Sequence, residues 1–243
     1  MRLRNQLIII TAFAIAMGFL ESAVVVYMRE ILYPGGFQFP LAPIHPNIAL
    51  TEILREAATL IMLVCIGFLA GKKFSQCFAW FIYTFAVWDI FYYVFLWVLI
   101  AWPESLMTWD VLFLIPATWT GPVLTPLILT LVMILWAVII LYYAEKNVNT
   151  KIRALEWSGV LIGVVVLVYA FILDYMQHML KTFSFRELLH MGDPRVREHA
   201  QTYIPESFPW LIYVIGLLLL LSAIGTYGFR LRKIRNKVNS SFS

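Results

Sequence analysis

Apolar residues in this chain run on in long blocks. Six stretches, 6–28, 49–71, 77–100, 122–143, 155–176 and 208–229, are almost wholly hydrophobic. Each holds about 20 residues or a little more, enough to cross about 30 Å of hydrocarbon as an α-helix. Helix is the expected form because backbone groups in lipid must bond within their own segment. No sustained alternation suggests barrel strands, and no internal repeat is visible. The pattern therefore predicts an all-α integral membrane protein, a single domain over 1–243 built as a bundle of six transmembrane helices. Its outer loops are 29–48, 101–121 and 177–207.

Composition sharpens this picture. Of 243 residues, 62% are hydrophobic and 13% charged, against about half and about a quarter in soluble domains. No polar stretch is long enough to hold a second core. The beginning resembles a signal peptide, but the apolar run continues past Glu21 to Met28 with no convincing cleavage site, so it reads as an uncleaved first span. Cys65 and Cys77 fall in or beside spans two and three, which implies no extracytoplasmic disulfide.

Net charge is +4, and its placement sets the orientation. Twelve of the eighteen Lys and Arg residues lie at the ends of the spans shared with the two termini. Five lie on the other side, and Arg55 falls within span two. The excess puts both termini in the cytoplasm. The basic tail after Phe229 reads as a topology anchor touching anionic headgroups, not as a nucleic-acid surface. The whole fits a protein of a bacterial inner membrane.

The loops add detail. The first, YPGGFQFPLAPIHP, is rich in Pro and Gly and should pack irregularly on the bundle. The apolar segment 109–119 is too short to cross and is expected to be a shallow re-entrant or interfacial piece. Trp102, Trp109 and Trp119 suit the headgroup level as anchors. The third outer loop predicts a short amphipathic helix, stopped near Gly192 and Pro194.

Candidate chemistry comes from acids where lipid should forbid them. A charge in hydrocarbon costs several kcal/mol, so it persists only if paired, protonated or facing water. From helical rise, Glu21 lies roughly 11 Å below the outer end of span one, and Glu52 and Glu56 roughly 5 and 11 Å below that of span two. Asp174 is within a turn of the outer end of span five, and Asp89 lies near the midplane of span three. All stand in the outer half or the centre, so a cavity among spans one, two, three and five should open outward.

Spacing groups them further. Glu52 and Glu56 are i,i+4, with Arg55 three residues from Glu52 to neutralise them. Asp174 and His178 form a second i,i+4 pair. Asp89 shares a stripe with Tyr92 and Tyr93, and Gly18, one turn from Glu21, lets another helix approach. His45, between prolines, could lean over the cavity, while His190 and His199 read as loop-surface residues.

Three functions follow. The first is an intramembrane enzyme, a hydrolase or lipid-modifying activity on a lipid or periplasmic substrate. Its Glu52, Glu56, Asp174 and His178 would be ligands of a divalent metal such as Zn²⁺ or acid–base groups, with Asp89 among the catalytic carboxyls. Glu21, Arg55, Tyr92, Tyr93 and His45 would bind substrate. Neither HExxH nor Gly-x-Ser-x-Gly occurs to support a specific class. The second is an accessory or scaffold subunit for a membrane-protein partner, in which Glu52–Arg55–Glu56 is a structural ion-pair knot and Asp89 is protonated and bonded to a tyrosine. Haem between His45 and His178 would belong with this reading, although neither is embedded in a span. The third is a small proton- or ion-coupled transporter.

Overall fold

The computed structural model describes residues 3–115, 117–188 and 193–240. His190 and Gly192 lie outside them. Six helices are long and apolar enough to cross a membrane: α1 (Leu3–Leu32), α2 (Pro46–Ala70), α3 (Phe74–Ile100), α4 (Leu124–Glu145), α5 (Ala154–Leu180) and α8 (Trp210–Ser240). The chain is an integral, multi-pass membrane protein. Two short helices, α6 (Phe185–Leu188) and α7 (Pro194–Ala200), lie between α5 and α8.

One part is not helical. Segment 109–119 belongs to an antiparallel hairpin of β1 (Trp109–Phe113) and β2 (Trp119–Pro122), with Asp110 opposite Gly121 and Val111 opposite Thr120. The short piece expected here is thus a strand pair. Trp, Val, Phe and Thr favour a pleated surface, and an antiparallel pair satisfies its own backbone. The hairpin packs against α5 through β2.

Local signals explain the ends. His45 caps α2, its Nδ1 accepting from the Asn47 N–H at 3.3 Å, and Pro46 opens the first turn. Asp193 does the same for α7, accepting from the Arg195 N–H at 2.9 Å, so Pro194 starts a helix where the sequence reading had one stop. The basic tail continues α8, and Arg230 clamps Glu156 at the start of α5 through two bonds of 2.6 and 2.8 Å. It is more than a headgroup anchor.

The helices pack in a simple order. α3 lies against α1, α2 and α4; α4 meets α8, and α8 pairs along its length with α5. Gly18 supports the close α1–α3 approach expected of it, since a Cβ there would stand 3.0 Å from the Trp88 carbonyl oxygen. The main apolar core joins α3, α4, α5 and α8 around Trp80, Phe171, Tyr213 and Tyr227. Both cysteines are free.

Candidate functional site

Above that core the bundle opens into a cavity of about 740 Å³. It lies in the half of the bundle away from both termini, walled by α1 to α5, the hairpin and one side of α7. Most of the lining is apolar. Into it project Glu21, Glu52, Arg55, Glu56, Asp89, Tyr92 and Tyr93, seven of the residues the sequence singles out.

The acids are not equivalent. Arg55 bonds Glu21 of α1 through Nη1 and Glu52 of its own helix through Nε, the latter at 2.8 Å. This differs from the expected knot: the second carboxylate held by Arg55 is Glu21, not Glu56. The i+3 spacing brings Glu52 onto Arg55, and the α1 approach supplies the other acid. Glu56 instead accepts the Leu114 N–H just beyond β1 at 3.0 Å. Asp89 sits deep on α3 and forms no hydrogen bond among the described residues. No tyrosine bonds it there; the Tyr93 hydroxyl donates instead to Asp110 Oδ2 at 3.2 Å.

Asp110 and Arg29 were missed by sequence reasoning. Arg29, at the end of α1, is only 8% exposed. Its Nη2 bonds Asp110 Oδ1 at 3.3 Å, and its guanidinium carbon lies 3.6 Å from the Trp102 ring centre and 4.3 Å from that of Phe37. Nη1 has no hydrogen-bond partner. Two signals could have pointed here: an arginine at the lip of a span, and an aspartate inside an apolar loop segment. The tryptophans read as headgroup anchors serve this packing too. Trp102 is buried under Arg29, and Trp119 stacks on Phe171 at 5.6 Å.

Burial pushes the Asp110 carboxyl up to about 6, against the opposing pull of Arg29. An unfolded aspartate titrates near 3.9, so between about pH 4 and 6 the native state binds more protons and its stability falls as pH rises. The wild type is expected to lose stability relative to Asp110→Asn as pH is raised from 4 to 7, by on the order of 3 kcal/mol, read from denaturation of both at each pH. A difference that stayed constant with pH would show that Asp110 titrates normally.

Asp174 and His178 do not join the cavity. Asp174 accepts the Tyr203 hydroxyl at 2.7 Å and the backbone N–H groups of Glu206 and Ser207 at 3.3 Å, which ties down the loop before α8. His178 stacks on His199 with ring centres 4.5 Å apart, and each Nε2 lies 3.3 Å from the other residue's carbonyl oxygen. So His199 is a packing partner of α5 and not a free surface residue. The ligand set Glu52, Glu56, Asp174 and His178 is thus divided between two places. Among the described residues, no group of three or more His, Cys, Asp or Glu could hold a metal ion. His45 is exposed at the start of α2 and does not line the cavity. With His178 held by His199, the two do not form a haem pair.

What remains is a largely apolar cavity with one ion-paired cluster, Glu21–Arg55–Glu52, one buried pair, Arg29–Asp110, and two carboxyls, Glu56 and Asp89, facing the space between them. No protein-family model, curated protein or solved structure matches the chain.

Proposed function

We propose that this protein is an intramembrane enzyme that modifies a lipid-like substrate, with Glu56 and Asp89 as its acid–base groups. The observation that carries this reading is the pair of carboxyls left without a cationic partner in a cavity otherwise lined mainly by apolar side chains. A cavity of about 740 Å³ falls in the range of small-molecule sites, which combine apolar walls with a few placed polar groups. Carboxyls in such surroundings can hold or release a proton where an exposed one would not. Arg55, committed to Glu21 and Glu52, positions α1 against α2, and Tyr92 borders the floor.

Access fits a substrate that resides in the bilayer. The main helical packing of α2 is on α3, while Leu50, Leu54, Ile61 and Phe68 on its other faces are exposed. We place both termini in the cytoplasm and the cavity on the outer side of a bacterial inner membrane, from the bias of Lys and Arg. A scaffold role is the second reading, favoured by the Glu21–Arg55–Glu52 cluster, whose ion pairs join α1 to α2 within the protein.

Lipid extracts of cells expressing wild-type protein, Glu56→Gln or Asp89→Asn at equal membrane levels separate the two. The expected result is a lipid species that appears with wild-type expression and falls at least about tenfold with either variant, as for loss of an acid–base group, while both variants melt like the wild type. No lipid change, together with variants that melt much earlier, would mean that the carboxyls hold the bundle together.

A further inference from the structure

The polar groups around the cavity carry a sign. Five carboxylic residues and two arginines, Arg29 and Arg55, border its interior, with Arg197 of α7 at the lining as well. Both interior arginines are already matched: Arg55 by Glu21 and Glu52, Arg29 by Asp110. Asp89 has no hydrogen-bond partner and Glu56 has one backbone N–H at one oxygen. Around them stand aromatic faces, Phe85, Trp88, Tyr92 and Trp119.

Resting on the reading of a lipid-like substrate, we propose that the polar end of that molecule is cationic, an amine or quaternary ammonium seated against Asp89 and Glu56. An ionised carboxylate in low dielectric gains much from a close positive charge, and among the described residues no cation forms an ion pair with Asp89 or Glu56. Aromatic faces attract the same kind of group through their quadrupoles. The chain of the molecule would lie along Leu60, Leu129, Met133 and Met176, which line the remaining wall. An anionic head would meet uncompensated carboxylates. The free Nη1 of Arg29 does not change the sign, because that guanidinium is covered by Trp102 and Phe37 and neutralised by Asp110.

The test uses three brominated alkyl probes of equal chain length, bearing trimethylammonium, sulfate or uncharged maltoside heads. Each is titrated into the full-length protein in a maltoside detergent. Bromine quenches nearby tryptophan fluorescence, and Trp88 and Trp119 line the cavity. The trimethylammonium probe is expected to reach half-saturation at a concentration at least about tenfold below either other probe, the scale of one close charge pair in partial burial. In Asp89→Asn that preference should shrink to about threefold or less. The wild-type comparison stands whether or not the variant folds. Tighter binding of the sulfate probe would overturn the proposal in favour of an anionic ligand. Equal binding of the maltoside probe would overturn it by showing that Asp89 is neutral. Either result leaves the lipid-like substrate standing. Failure of all three probes to saturate would overturn both.

Discussion

Arg29→Ala is expected to destabilise the protein by about 3–5 kcal/mol at neutral pH, the usual consequence of removing one partner of a buried ion pair. The guanidinium is enclosed, bonded to Asp110 and set against the faces of both Trp102 and Phe37. Its loss leaves the Asp110 carboxylate with only the Tyr93 hydroxyl and the surrounding backbone, and it opens a void beside two aromatic rings. Lysine should rescue little, because a point charge neither stacks nor spans both contacts. The deficit should narrow toward pH 5, where Asp110, already raised to about 6, takes up a proton and no longer needs a cation. Thermal melts of wild type, Arg29→Ala and Arg29→Lys at pH 5 and 8 check this. Equal losses at both values would mean that Arg29 acts through packing alone.

Gly67→Ala should be among the most damaging changes of a single methyl group. A Cβ at Gly67 would fall 2.6 Å from the Cys77 carbonyl oxygen of α3, a backbone atom that can move only if the two helices part. Overpacking of this kind costs about 1–3 kcal/mol, and it would shift α2, which carries Glu52, Arg55 and Glu56. Gly225→Ala is the control, since a Cβ there meets nothing within 4 Å. Melting temperature should fall by several degrees for Gly67→Ala and barely move for Gly225→Ala. If the two variants melt alike, the α2–α3 approach is looser than described.

Why the spans and seven of the cavity residues were legible lies in the physics of the bilayer. A run of about 20 apolar residues has few alternatives to a helix, and an acid within one has few reasons to be there beyond a shared polar interior. Glu21, Glu52, Arg55, Glu56, Asp89, Tyr92 and Tyr93 were found on that ground. Partnership was harder to read. Arg55 chooses Glu21, distant in sequence, over Glu56, its immediate neighbour, because helix packing and not spacing decides which carboxylate is in reach. Arg29 and Asp110 are separated by 81 positions, and each sits at a segment end where a charge needs no explanation. The hairpin escaped because a short apolar run does not distinguish strand from shallow helix. Asp174 and His178 share the i,i+4 spacing of a site, yet their own loop occupies both.

All charged groups of the cavity interior, from Glu21 to Asp110, belong to the first 110 residues, whereas α4 and α5 contribute only uncharged side chains to its wall. Chains are synthesised from the N-terminus, and early segments can associate before later ones exist. The charged groups of the cavity therefore enter the bilayer ahead of α4 and α5. The polar part of the cavity is thus inserted first, with two arginines against five carboxylic residues, and the later helices add an apolar wall to it.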